Sequence, residues 1–200
     1  DDMVNDAVQW IKFLQDDTCV SEIFIIGHSE GSLIGMLAAK HTGVHGLISL
    51  AGPGRPADEI IKEQLKRVPD STYVYVLHAL DSLKTGMKIQ HVAKGLASLF
   101  RPGIQPYLIN WFQYDPAEIL ACLNIPILII QGTTDLQVPK SDAEILAAAN
   151  KNSSLVIIEG MNHVLKNAPD ERMENLATYN NPNLPLNKNL VESIVEFIIF

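Results

Sequence analysis

Apolar residues recur along the chain in two kinds of pattern. Short unbroken runs rich in isoleucine and leucine are typical of strands buried on both faces of a parallel sheet. Runs of this kind predict strands at 22–27, 46–51, 127–131 and 155–159. Elsewhere apolar residues recur every three to four positions, which is typical of helices that pack on one side. This spacing predicts helices at 2–16, 32–41, 142–150 and 190–200.

Because the predicted strands alternate with helices and have no polar face, they favour an α/β fold. We expect a three-layer αβα arrangement with a mostly parallel sheet. The stretch 56–123 interrupts the alternation, with helical segments at 57–68, 73–83 and 89–100 separated by prolines and glycines. Since it lies between two sheet strands, it is predicted to be a helical insertion within a single domain that spans 1–200.

Composition and charge limit the classes of function. The chain has 200 residues, 47% of them hydrophobic and 19% charged, which is typical of a globular domain. Its net charge of −8 disfavours a nucleic-acid partner, since no basic surplus can neutralise phosphates. The last predicted helix is too short to cross a membrane. Cys19 and Cys122 are too few for a disulfide framework and are expected to be buried thiols. We predict no metal, because no cluster has metal-ligand spacing, and we predict no cofactor.

The pattern Gly27-His28-Ser29-Glu30-Gly31 follows the first predicted strand and precedes a helix of small residues. A strand, a tight turn and a helix in this order are the context of a nucleophile elbow, in which a strained serine exposes its hydroxyl. The two glycines are expected because a Cβ at either position would collide with neighbouring backbone. His28 is expected to pack or to form a hydrogen bond. The alternative is an ordinary glycine-rich turn without catalytic chemistry.

Two further candidates follow the last two predicted strands. Asp135 lies in the loop after the strand at 127–131, and His163 lies in the loop after the strand at 155–159. A serine nucleophile needs a base and an orienting carboxylate, and the carboxyl ends of parallel strands share one edge of the sheet. We therefore expect Ser29, Asp135 and His163 to meet there.

Two other carboxylates are alternatives to Asp135. Asp115 is expected to cap the helix that starts at Pro116 instead. Glu159 ends a strand and is expected to face solvent. Glu30 follows the serine and is expected to be solvated, with a salt bridge to Arg55 as the alternative.

The segments GHSEGS (27–32), QGTTDLQVP (131–139) and GMNHVLK (160–166) resemble those of the α/β-hydrolases. Within that superfamily the chain is similar to single-domain esterases and serine aminopeptidase-like hydrolases. Residues 99–120 resemble the end of the helical cap in bacterial members. The resemblance implies that Ser29 attacks a carbonyl carbon, His163 transfers the proton and Asp135 holds the imidazole. The backbone N–H of Glu30 would be one donor of the oxyanion hole.

The resemblance also implies that part of the fold lies outside these 200 residues. The four predicted strands match only the C-terminal half of the family's sheet, and the family's second oxyanion donor follows an earlier strand. The chain begins with Asp1 and has no initiator methionine. We therefore expect the remaining strands upstream, and an uncovered apolar edge on the strand at 22–27.

The inserted region is rich in aromatic residues, and most of them are expected to form its core. They are Tyr73, Tyr75, Phe100, Tyr107, Trp111 and Phe112. A few could line an apolar pocket, which favours a carboxylesterase acting on small or medium acyl esters. A peptidase or an acyltransferase is the alternative, and so is a non-catalytic fragment or binding protein that keeps the fold. For a peptidase, Asp58, Glu59 and Glu63 could hold an α-amino group, although three such acids are more typical of a solvated face.

Overall fold

The computed structural model describes residues 2–199. They divide into two compact units. The residues up to Gly54 and those from Pro116 onward form a unit built on a sheet. Arg55–Asp115 form a separate helical unit. The boundary differs from the predicted insertion at 56–123, because the segment that starts at Pro116 packs in the core of the sheet unit.

The sheet has four strands, and all four predicted strands are present. They are β1 (Phe24–His28), β2 (Gly46–Leu50), β3 (Ile127–Gly132) and β4 (Ser153–Ile158). Every neighbouring pair is parallel, in the spatial order β1-β2-β3-β4. The carboxyl ends of all four strands therefore lie along one edge of the sheet.

The described helices are numbered in chain order. They are α1 (Asp2–Gln15), α2 (Glu30–Lys40), α3 (Ala57–Gln64), α4 (Asp70–Lys84), α5 (Ala97–Phe100), α6 (Gln105–Trp111), α7 (Pro116–Ala121), α8 (Lys140–Ala149), α9 (Arg172–Ala177) and α10 (Lys188–Ile199). The helical unit contains α3 to α6. No helix within residues 2–199 combines the length and the apolar character needed to cross a bilayer.

The sheet unit has three layers, as predicted. Alternate residues of the central strands point to opposite faces. Leu47 and Ile129 pack in one core together with residues of α1, α2, α7 and α8. Ile48 and Ile130 pack in a second core together with residues of α10. Because both faces are covered, β2 and β3 are buried along their whole length, which explains their continuous apolar sequences.

Strand β1 differs from the prediction of burial on both faces. Within the described residues it pairs with β2 alone, and the side chain of Ile26 is 50% exposed. The apolar edge expected at this strand is therefore present. An apolar run in the sequence does not show how many neighbours the strand has, which is why the burial was overestimated.

The helical unit has its own core, which includes Phe100 and Phe112 and so agrees with the aromatic residues expected there. The predicted segments at 57–68 and 73–83 correspond to α3 and α4. The prediction at 89–100 is wrong over its first part, since only Ala97–Phe100 is helical. The side chain of Gln105 exchanges hydrogen bonds with both backbone groups of Ile89, so these groups are not used in a helix.

The prediction of buried thiols is also wrong, since Cys19 and Cys122 are both exposed. Cys19 follows α1 in a loop, where its N–H donates to the carboxylate of Asp17. Cys122 follows the last turn of α7, and its thiol donates to the carbonyl oxygen of Glu118. Their positions at the ends of helices keep both side chains outside the cores.

Candidate active site

Ser29 is the single residue between the last residue of β1 and the first residue of α2. Its backbone has φ 55° and ψ −122°, a strained conformation for a residue with a side chain. The N–H of Ser29 donates to the carbonyl oxygen of Leu50 at 2.8 Å, which fixes the turn at the carboxyl edge of the sheet. This is the conformation expected of a nucleophile elbow.

The two glycines around Ser29 have different roles. A Cβ on Gly27 would collide with the carbonyl group of Gly31, as predicted. The same prediction is wrong for Gly31, because its Cβ would meet nothing within 4 Å among the described residues. The tight approach thus constrains Gly27 alone, while Gly31 faces open space in the first turn of α2.

Asp135 and His163 form a buried pair at the same edge. Asp135 Oδ2 lies 2.9 Å from His163 Nδ1, and the two side chains are 1% and 6% exposed. The other carboxylate oxygen accepts hydrogen bonds from the N–H groups of Gln137 (2.7 Å) and Val138 (2.9 Å). Gln131, at the end of β3, donates from Nε2 to Asp135 Oδ2 at 2.9 Å. Four donors thus orient this carboxylate, and the sequence reasoning missed Gln131 although it is polar in an apolar strand.

His28 connects the elbow to the histidine loop. Its Nε2 donates to the backbone carbonyl oxygen of His163 at 2.8 Å, and the two rings are 5.0 Å apart between centroids. The hydrogen-bonding role expected for His28 is therefore confirmed. Burial lowers the pKa of His28 below its ordinary value, and the imidazole of His163 adds to this, although the hydrogen bond to the carbonyl acts in the opposite direction.

Ser29 is held at this edge by its own N–H bond to Leu50 and by the preceding residue His28, which bonds to the histidine loop. No hydrogen bond joins the Ser29 hydroxyl to His163 within residues 2–199. Glu30 is the first residue of the 11-residue helix α2. Its N–H points along the helix axis, where the helix dipole favours negative charge. The described structure therefore brings Asp135 and His163 into direct contact and places Ser29 and the Glu30 N–H at the carboxyl end of β1, on the same edge of the sheet.

The sequence also offered Glu159 and Asp115 as carboxylates in place of Asp135. Glu159 is exposed, as predicted. Arg55 pairs with Glu63 at 2.8 Å within the helical unit. Asp115 is the last residue of the helical unit.

Asp58 contradicts the prediction of a solvated acidic face, because its side chain is completely buried. It accepts hydrogen bonds from Lys62 at 3.2 Å and from Lys84 at 3.0 Å. Burial by itself would lower the pKa of Lys62, but the hydrogen bond and the charge of Asp58 raise it above its ordinary value. Lys84 lies 26 residues away in α4, so local sequence could not show this pairing.

The sheet unit has three layers around a parallel sheet, with a strained serine after one strand and an aspartate and a histidine in contact after two others. This is the arrangement of the α/β-hydrolases. No protein-family model matches the chain. Over 191 residues, however, it is 27% identical to Esterase EstD of Thermotoga maritima. The match covers 86% of this chain and 43% of EstD, so the chain spans less than half the length of that relative.

Solved structures show the same fold. Est1E from Butyrivibrio proteoclasticus superimposes with a TM-score of 0.58 at 20% identity, over 98% of this chain and 67% of Est1E. A lipase-esterase related protein from Clostridium acetobutylicum gives a TM-score of 0.54 at 19% identity, over 98% of this chain and 75% of that protein. The chain therefore has the α/β-hydrolase fold and is similar to esterases, which confirms the resemblance seen in the sequence.

Proposed function

We propose that the chain carries the catalytic triad of a serine esterase, with Ser29 as nucleophile, His163 as base and Asp135 as acid. The observation that carries the proposal is the buried 2.9 Å contact between Asp135 Oδ2 and His163 Nδ1. The strained backbone of Ser29 and the similarity to Esterase EstD support it. The proposed substrates are carboxylic esters with small or medium acyl groups.

In the proposed mechanism the two ring nitrogens of His163 have different tasks. Because Nδ1 donates to Asp135, Nε2 is the nitrogen available to accept the Ser29 proton. As Ser29 Oγ bonds to the ester carbonyl carbon, that proton moves to Nε2. When the carbon–oxygen bond of the leaving alcohol breaks, Nε2 returns the proton to the alcohol and an acyl-enzyme remains. Water then attacks the acyl-enzyme with the same base, releasing the acid and restoring Ser29.

The backbone N–H of Glu30 is the proposed donor to the developing oxyanion. It follows the nucleophile directly and begins α2, so the helix dipole adds to the hydrogen bond. Loss of one such donor from a working site typically lowers kcat by a factor of about 10² to 10³.

The helical unit favours an esterase over an aminopeptidase. Two of the three acids that could hold an α-amino group are already bonded to cations of the protein, and the third, Glu59, is exposed. Asp58 accepts from Lys62 and Lys84, and Glu63 pairs with Arg55. An added ammonium group would have to displace a lysine from a buried carboxylate, which is costly.

Hydrolysis of p-nitrophenyl esters from acetate to decanoate, compared with aminoacyl-nitroanilides, tests the proposal. We expect ester hydrolysis that is lost in Ser29→Ala. Ser193→Ala is the matched control, because Ser193 is a half-buried serine of α10 whose hydroxyl donates to the carbonyl oxygen of Asn189. Cleavage of nitroanilides alone would favour the peptidase. Ester hydrolysis that survives in Ser29→Ala would refute the proposed nucleophile, and a folded protein that cleaves neither class would indicate a binding protein.

A further inference from the structure

Asn175 of α9 lies outside every segment that resembles the hydrolases, yet its side chain is fully buried beside the candidate site. Its Nδ2 donates to the carbonyl oxygens of Thr134 and Pro169, each at 2.9 Å. Its Oδ1 accepts from Asn162 Nδ2 at 3.2 Å. Both amide protons and the amide oxygen therefore have partners, which fixes the orientation of this side chain.

Two of these partners are the chain neighbours of the proposed catalytic pair. Thr134 immediately precedes Asp135, and Asn162 immediately precedes His163. Asn175 thus joins the loop of the acid to the loop of the base. A second link joins Thr134 N–H to the carbonyl of Met161 at 3.2 Å, so Thr134 is held at both of its backbone polar groups.

A further hydrogen bond holds the side chain of Asn162 in place. Asn162 Nδ2 also donates to Thr178 Oγ1 at 2.7 Å, and that hydroxyl donates to the carbonyl oxygen of Asn175 at 2.7 Å. Asn162, Thr178 and Asn175 therefore form a closed ring of buried hydrogen bonds. A buried network with its partners in place holds one geometry, because every displacement would leave a polar group without a partner.

We infer that Asn175 is a positioning residue, which holds the acid loop and the histidine loop at the spacing that keeps Asp135 Oδ2 against His163 Nδ1. It touches neither reacting group and acts through Thr134 and Asn162. The inference rests on the proposed function for its effect on catalysis, but its effect on the Asp135–His163 contact is independent of any substrate.

The test compares Asn175→Ala and Asn175→Asp with the wild-type protein. In Asn175→Asp a carboxylate oxygen would face the carbonyls of Thr134 and Pro169, so the size is kept while the donor is lost. The readout is the ring ¹⁵N spectrum of His163, measured with the ring neutral and assigned by its absence in His163→Gln. It shows which ring nitrogen carries the proton.

Asn150→Ala is the matched control. Asn150 is a buried asparagine with the same pattern of three hydrogen bonds as Asn175. Its Nδ2 donates to the carbonyl oxygens of Leu120 (2.6 Å) and Leu123 (2.9 Å), and its Oδ1 accepts from the N–H of Asn152 (2.8 Å). Its bonds tie α7 to the start of β4 and involve no neighbour of Asp135 or His163. Its loss should lower stability without moving the proton on His163.

We expect wild-type protein and Asn150→Ala to hold the proton on Nδ1. Both Asn175 variants should show a mixture of the two neutral forms, with kcat lowered about 10- to 100-fold and KM little changed, since small misplacements of a base are costly. If the Asn175 variants do not fold, Thr178→Val opens the same ring of hydrogen bonds more gently and should shift the mixture in the same direction.

The two hypotheses fail in different ways. Wild-type protein that is active, with variants that keep the Nδ1 proton and kcat, would overturn the positioning role alone. An inactive wild-type protein whose Nδ1 proton is lost in the Asn175 variants would overturn the esterase and leave the positioning role. A wild-type His163 that carries its proton on Nε2 would overturn both.

Discussion

The Nε2 atom of His28 donates to the backbone carbonyl oxygen of His163 at 2.8 Å. His28 is the last residue of β1 and immediately precedes Ser29, so this bond ties the proposed nucleophile's strand to the loop of the proposed base. The two elements are 135 residues apart in the chain. Burial of the His28 ring, rather than this hydrogen bond, disfavours the protonated form and makes the elbow sensitive to pH.

The first prediction concerns the pH dependence of stability. Burial lowers the pKa of His28 below its ordinary value of 6.5, so the unfolded chain takes up the proton more readily than the folded one. The stability that the neutral ring contributes is complete above about pH 6.5 and is lost as the pH falls towards the lowered folded-state pKa. Urea unfolding between pH 8 and pH 5 should show a shallower loss of unfolding free energy in His28→Asn than in wild-type protein, and equal slopes would contradict it.

The second prediction concerns the acid. Asp135→Asn should lower kcat for ester hydrolysis by roughly 10⁴-fold, because an amide can hold the imidazole in the wrong neutral form. Asp142→Asn is the control, since Asp142 is equally buried and accepts from Gly54 N–H at 2.9 Å. It should lower stability and leave kcat near the wild-type value. A similar small effect in both variants would mean that Asp135 is not the acid of the triad.

The third prediction separates the two glycines of the elbow. Gly27→Ala should destabilise the protein by about 3 kcal/mol, because the new methyl group would overlap the Gly31 carbonyl and force the backbone apart. Gly31→Ala should raise stability by about 0.5 kcal/mol, since the site is open and alanine favours a helix. Unfolding free energies from urea titration decide it. A loss of stability in Gly31→Ala would show that something approaches this glycine in the folded protein.

The fourth prediction concerns the buried carboxylate of the helical unit. Lys62→Met or Lys84→Met alone should cost about 1 kcal/mol, because the other lysine still pairs with Asp58. The double substitution should cost about 3 to 5 kcal/mol, since it leaves a buried charge without a cation. The measurement is a double-mutant cycle from urea unfolding. Additive costs would show that the two lysines do not share Asp58.

A surface pair supplies the control for that cycle. Lys140 and Glu144 lie 3.0 Å apart in α8, and both side chains are about half exposed. Removing either should change stability by less than about 1 kcal/mol, because water and salt screen such pairs.

The sheet was predictable because parallel strands leave a clear pattern. β2 and β3 are covered on both faces and so read as unbroken apolar runs. The meeting of Asp135 and His163 could be predicted from the same topology, since both follow strands of one parallel sheet. The roles of Ser29, Asp135, His163 and the Glu30 N–H stay predictions.

The sequence could not show which residues support this pair or where polar groups are buried. Asn175 reaches Asn162 and Thr134 across 13 and 41 residues, so no local pattern contains the network. The burial of Asp58 could not be predicted from local sequence, because one of its two lysine partners, Lys84, lies on another helix. The extra exposure of Ile26 has the same origin, since pairing at the edge of a sheet is a property of the assembled fold.

Labelling with a fluorophosphonate, followed by mass spectrometry of the peptides, tests the central claim most directly. The claim predicts one phosphonylated residue, Ser29, with labelling lost in Ser29→Ala and strongly slowed in His163→Gln, while Ser193→Ala labels like the wild-type protein. An adduct on another residue, or a folded wild-type protein that takes up no label, would contradict the assignment of Ser29 as an activated nucleophile.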